Sequence, residues 1–181
     1  MRTQKNYKIK SGNNYCNRFN LPLPHRPLWK PTEMIAKLTL NESMVYRNDN
    51  DGWMKLCGFS RGHHHDNSFR FVWRCWKGNF EIAVYCYLNN RREIEKLASW
   101  PIDKIPFGCN VFMGVLFKFN EVELIEISFN SVCHTNTLTY AYLPENLQPI
   151  GYLLTPHFEN PKSDQSGAPH NINIPLQIEI R

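Results

Sequence analysis

The chain has 181 residues, 42% hydrophobic and 13% aromatic, with 21 Lys and Arg against 16 Asp and Glu for a formal net charge of +5. That composition supplies a sizeable apolar core and excludes a disordered chain, and all-β domains commonly reach this length around one core. The mild positive charge favours anionic partners, but no nucleic-acid motif accompanies it and no apolar run approaches the ~20 residues of a membrane span.

Residues 1–10 are basic and no apolar stretch follows them, so no secretory signal is expected. Pro22, Pro24, Pro27 and Pro31 make 15–31 hostile to helix, and 1–31 reads as an extended Pro-rich N-terminal segment of a single domain spanning 1–181. Residues 33–40 alternate, with Met34, Ala36, Leu38 and Leu40 on one side, and 52–60 carry Trp53, Cys57 and Phe59 at period two; both read as half-buried strands.

Residues 69–88 give the clearest element, two alternating runs about a Lys77-Gly78 hairpin loop. Pairing Trp76 with Asn79 sets Cys75 opposite Phe80, Trp73 opposite Ile82, Phe71 opposite Val84 and Phe69 opposite Cys86, all apolar. The other face pairs Arg74 with Glu81, Val72 with Ala83, Arg70 with Tyr85 and Ser68 with Tyr87, and is cationic and aromatic. Strands are further expected over 110–119, 121–128, 138–143, 151–158 and 171–180. In the last of these Ile172, Ile174, Leu176, Ile178 and Ile180 share a face, and Pro175, which cannot donate to a ladder, points to an edge or a bulge. Residues 159–169 are polar and turn-rich. The sum is an all-β, two-sheet antiparallel β-sandwich of jelly-roll or concanavalin-like type, with about ten strands.

Six cysteines at 16, 57, 75, 86, 109 and 133 show no C-x-x-C pair or tight disulfide spacing, so they read as thiols of a cytoplasmic protein.

The most unusual segment is His63-His64-His65-Asp66-Asn67-Ser68, leading into the first hairpin strand. If extended, it sets His64, Asp66, Ser68, Arg70 and Arg74 along one polar stripe, with Tyr85 and Tyr87 beside it. A His-x-His pair could begin a metal site, with His157 or His170 as a distant third ligand, but no familiar ligand spacing supports one; neither a metal nor a cofactor is expected. Acid–base chemistry has His, Asp, Ser and Cys at hand but no triad spacing, and the threonines after His134 fall at 135 and 137 rather than in a paired H-x-T motif. Binding without chemistry suits the set better: arginine forks hold phosphate or carboxylate, and aromatic rings stack. Against all of these stands the plain alternative that Arg74 and Glu81 simply pair across the hairpin and the histidines close a loop.

The reading is a non-enzymatic protein binding a small anionic molecule, a nucleotide or cyclic nucleotide messenger, through His63, His64, His65, Asn67, Ser68, Arg70, Arg74, Tyr85, Tyr87, His157 and His170. Alternatives are a His-based nucleotide hydrolase, a carbohydrate-binding or polysaccharide-acting sandwich, and a protein-interaction module. Neither membrane nor nucleic acid is an expected partner, and homo-oligomerisation is left open.

Several segments carry a resemblance. Lys55-Leu-Cys-Gly-Phe-Ser60, His63 to Ser68, Arg70-Phe71, Trp73, Ala83-Val-Tyr-Cys-Tyr87, Gly151-Tyr152-Leu153, Pro156-His157-Phe158 and Ala168-Pro169-His170-Asn171-Ile172 together resemble an uncharacterised family of small bacterial and phage-associated β-sandwich proteins. The resemblance spans roughly 33–180. The chain departs from the family pattern at Phe69, Val72 and 157–160, where it puts bulk in place of small residues. The resemblance implies the sandwich fold and a phage or mobile-element origin, and by analogy the sequestration of a host-defence messenger in the host cytoplasm; it transfers no activity.

Overall fold

The computed structural model of the chain describes residues 2–16, 26–29, 33–46, 52–61, 68–88, 91–119, 123–142, 150–158 and 167–181. Alternation with a period of two dominates, and it yields strands that each bury one face. The first sheet runs β1 (Arg2–Ile9), β12 (Ile172–Ile180), β3 (Glu33–Thr39), β8 (Asn110–Phe119), β9 (Glu123–Asn130) and β10 (Thr135–Tyr142) in spatial order. The second runs β2 (Arg26–Trp29), β11 (Ile150–Leu154), β4 (Met54–Arg61), β5 (Ser68–Trp76), β6 (Asn79–Leu88) and β7 (Arg91–Pro101). All named pairings are antiparallel, and one hydrophobic core between the sheets makes the molecule a β-sandwich.

The derived hairpin register holds at every pair from Ser68↔Tyr87 to Trp76↔Asn79. Lys77 and Gly78 both take positive φ, 49° and 76°, the backbone twist that lets a two-residue loop join strongly twisted strands. Phe69, Phe71, Trp73, Phe80, Ile82 and Val84 are buried and face Met34, Leu38, Val111, Met113, Ile127, Phe129 and the isoleucines of β12. None of the six cysteines is bonded to another. Burial pushes the Cys57 thiol up to about 12, and burial together with the nearby Glu93 does the same to Cys86, so both are packing residues rather than nucleophiles.

Twelve strands are described where about ten were expected, and those the patterning passed over, β1, β2 and β7, all lie at sheet edges. Edge strands carry charge and proline to discourage pairing with other chains, which erases the alternation that reveals a strand. In β7 the run Arg91-Arg92-Glu93-Ile94-Glu95-Lys96 does this, and in β2 Pro27 does.

Two expectations about register need correction. β12 is no edge strand, since it lies between β1 and β3; its ladder with β3 begins at Leu176, immediately after Pro175, so the missing donor falls where that pairing ends. Trp53 does not share a face with Cys57 and Phe59. The register of β4 against β5 shifts between Lys55 and Cys57, a bulge in which Leu56 is the extra residue, and a one-residue slip turns every side chain before it to the other side. Trp53 and Lys55 therefore stand on the outer face of the second sheet.

Candidate functional site

β4, β5 and β6 follow one another in chain and space, so their outward side chains form regular cross-strand rows. One row sets Gly58, Arg70, Tyr85 and Ile94 side by side, the next Ser60, Ser68, Tyr87 and Arg92, and on the other flank Lys55, Val72, Ala83 and Lys96. Val72 and Ala83 are fully buried although they lie on this face, an apolar floor beneath the longer polar side chains. A Cβ on Gly58 would overlap the Phe69 carbonyl oxygen and stand 2.9 Å from Arg70 Cγ, so only glycine lets the Arg70 stem lie across β4.

Tyr85 is the centre of this arrangement. Its hydroxyl donates to the Tyr87 hydroxyl at 3.0 Å, and the two rings meet edge-on at 5.3 Å. Lys55 Nζ stands 5.3 Å from the Tyr85 ring centre and the Arg92 guanidinium 5.4 Å, so cations flank the ring. His157 pairs with Lys55 by two backbone hydrogen bonds of 3.0 and 3.1 Å, which brings its ring to Arg70, with Nη1 3.5 Å from Nδ1. A guanidinium can only donate, so in this contact Nδ1 of His157 is the acceptor. Tyr15 packs against that imidazole, ring centres 5.6 Å apart.

Beyond Lys55 the face changes character. Arg74 Nε donates to Glu81 Oε2 at 2.7 Å, and Lys96 Nζ donates to the other carboxylate oxygen. Burial pulls the Glu81 carboxyl up, but the hydrogen bonds from Lys96 and Arg74 outweigh it and hold it below the usual carboxylate range. A carboxyl depressed in the folded state adds stability above its unfolded value, and that stability is lost as pH falls through the folded value. Glu81→Gln is therefore expected to cost about 1 to 3 kcal/mol near neutral pH, less than a fully buried pair because Lys96 is half exposed. The variant should also flatten the acid limb of the stability curve, which thermal melts across a pH series would show; equal acid sensitivity in both proteins would remove Glu81 from the account.

Of the residues expected to form a site, Ser68, Arg70, Arg74, Tyr85 and Tyr87 stand on this outer face and His157 joins Arg70. His170 is engaged elsewhere: its Nε2 bonds the Ser43 carbonyl oxygen at 2.9 Å, tying the approach to β12 to the 3-10 turn Glu42–Met44. His63, His64, His65 and Asn67 lie outside the described residues. Among the described residues no group of three His, Cys, Asp or Glu is placed to hold a metal ion, and no helix is long and apolar enough to cross a membrane. A shallow groove of about 260 Å³ on the outer face of the first sheet, over Phe112, Gly114 and Ser128, includes none of the expected residues. Sequence reasoning missed Lys55, Arg92, Tyr15 and the outward position of Trp53. The adjacent apolar pair Leu56-Cys57 in an otherwise alternating strand was the available sign of the bulge that turns Trp53 and Lys55 outward.

No protein-family model and no curated protein sequence matches the chain. Solved structures do. The chain is similar to a double variant of the alginate lyase Aly36B in complex with alginate trisaccharide, with a TM-score of 0.59 and 13% identity over 98% of this chain and 82% of that one. A second Aly36B variant, in complex with alginate tetrasaccharide, gives 0.58 and 10% over 98% and 78%. The alginate lyase vAL-1 from Chlorella virus gives 0.52 and 8% over 98% and 85%. Identity this low establishes the fold, a two-sheet antiparallel β-sandwich, and nothing finer.

One expectation is corrected by these neighbours. The partner was expected to be a small anionic molecule of nucleotide type, whereas the two Aly36B variants hold alginate oligosaccharides, a carbohydrate chain. The physical layout agrees with the change, because the cationic and aromatic groups are spread in rows over several strands rather than gathered around one compact anion. Nothing in the comparisons supports nucleotide binding or a phage and anti-defence association.

Proposed function

We propose that the protein acts on an acidic polysaccharide, binding the chain across the outer face of the second sheet and cleaving it by β-elimination. In that reaction the proton on the carbon next to a sugar carboxylate is removed. The bond from the neighbouring ring carbon to the bridging oxygen breaks, a carbon–carbon double bond forms, and the departing oxygen takes a proton. The chemistry asks for a cation on the carboxylate, a base at the ring proton and an acid at the leaving oxygen.

What carries this reading is the Tyr85 hydroxyl, held by Tyr87, directly across the strand pair from Arg70 and flanked by Lys55 and Arg92. Arg70 presents a planar fork suited to a carboxylate. Tyr85 acts as the phenolate, with the Tyr87 hydroxyl donating to it, and takes the ring proton to become the phenol, and the flanking cations stand where negative charge develops. Lys55, whose Nζ also donates to the Trp53 carbonyl oxygen at 2.9 Å, is the proton donor for the bridging oxygen. The shared fold with alginate lyases supports the same substrate class.

The test is incubation of the purified protein with alginate and with a neutral polysaccharide, following the ultraviolet absorbance of the double bond conjugated to the carboxylate. Absorbance should rise with alginate alone. Arg70→Ala should weaken binding about 10- to 150-fold, the loss of one charge-assisted hydrogen bond, while melting as the wild type does. Retention of alginate without a new double bond would reduce the protein to a carbohydrate-binding sandwich, and neither binding nor cleavage of any acidic polysaccharide would sink the reading altogether.

A further inference from the structure

We propose that Trp53, Arg74 and Trp76 form a second sugar subsite, one that holds a more distant unit of the polysaccharide by ring stacking rather than by charge. The inference rests on the reading of the same face given above. It begins from the way Arg74 is used. Its guanidinium lies 4.2 Å from the Trp53 ring centre and 5.6 Å from that of Trp76, while Nε is bonded to the buried Glu81 carboxylate. Its charge is thus answered by a carboxylate and its planar faces by indoles, so it serves as a spacer that fixes both rings rather than as a hook for an anion.

Both tryptophans are only partly buried. A fixed aromatic plane with exposed area binds at little cost in conformational entropy, and its apolar face matches the C–H face of a pyranose. Lys77 completes the surroundings, its Nζ 5.5 Å from the Trp76 ring centre. The contrast with the other end of the face is chemical: the row of Arg70, Tyr85 and Arg92 offers cations and a hydroxyl, and the row of Trp53, Arg74 and Glu81 offers aromatic rings around an arginine already paired with a carboxylate.

Spacing gives the subsite its consequence. Four residues along β5 separate Arg70 from Arg74, about 13 Å, and Trp76 lies about 20 Å from Arg70. A chain anchored by a carboxylate at Arg70 reaches the tryptophans only if it is several sugars long. Lys55, bonded to the Trp53 carbonyl oxygen, ties the two ends of the face together. The subsite therefore acts as a length gauge, and its contribution is insensitive to salt whereas that of Arg70 is screened.

The experiment compares kcat/KM for alginate trisaccharide and hexasaccharide in wild type, Trp76→Ala, Trp76→Phe and Trp53→Ala, at low and high salt. Phe112→Ala, an exposed position on the other sheet, is the control. Wild type should favour the hexasaccharide, Trp76→Ala and Trp53→Ala should each lower that preference about 3- to 10-fold, and Trp76→Phe should keep most of it. If one alanine variant fails to fold, the other carries the test, since Trp53 stands just before β4 and Trp76 at the end of β5. A hexasaccharide preference unchanged in the folded alanine variants, or one erased by salt alone, overturns the subsite while leaving the cleavage reading intact. A wild type that neither binds nor cleaves either oligosaccharide overturns both.

Discussion

Tyr85→Phe is expected to lower the rate of double-bond formation by about 10²- to 10⁴-fold, the usual contribution of a positioned acid–base group, with little change in melting temperature. The substitution keeps the ring that meets Tyr87 edge-on and lies between Lys55 and Arg92, and removes only the oxygen. The loss should appear in kcat more than in KM, because the hydroxyl acts on the ring proton and not on the carboxylate that Arg70 holds. Tyr87→Phe, which removes the partner of that oxygen, should show a smaller loss of the same kind. Full activity in Tyr85→Phe would exclude this residue as the base and shift attention to Lys55.

The second large effect is structural. Trp73 is fully buried, the largest of the core side chains so enclosed, and its Nε1 donates to the Met44 carbonyl oxygen at 3.2 Å. Trp73→Ala removes that wedge from between the sheets and leaves the carbonyl to the weak Cys75 thiol donor at 3.8 Å, at a cost of about 3 to 5 kcal/mol. For a chain of this size the melting temperature should fall by roughly 6 to 20 °C. Urea unfolding of the two proteins measures the difference directly. A cost under about 1 kcal/mol would mean that the sheets close over the gap and that Trp73 is not what spaces them.

The fold was legible wherever alternation was clean. Residues 69–88 announced both strands and their register because each apolar residue faced another apolar residue, and β12 announced its buried isoleucines in the same way. What alternation hides is where it is broken on purpose. The charged edge β7 and the short β2 with its proline look like loops from sequence, and the bulge at Leu56 inverted the face assigned to Trp53. The candidate site divides along the same line. Arg70, Arg74, Tyr85 and Tyr87 followed from hairpin register, whereas Lys55 needed the bulge and the Arg70–His157 contact needed a pairing between segments far apart in the chain. No local pattern encodes such a pairing.

The order of the first sheet also bears on how the chain comes together in time. Among the described residues β1 pairs with β12 alone, so that strand has no partner until β12, more than 160 residues further along, has been made, while β4, β5, β6 and β7 can zip up as successive hairpins. The sheet that carries Arg70 and Tyr85 is thus rich in local contacts and quick to nucleate, and the sheet that covers its core closes late, across almost the whole chain. Until then Phe69, Phe71 and Trp73 lie open to water, and the free edges of β1 and β3 are open to strands from other chains. High concentration during folding should then favour association of these exposed surfaces over closure of the sandwich.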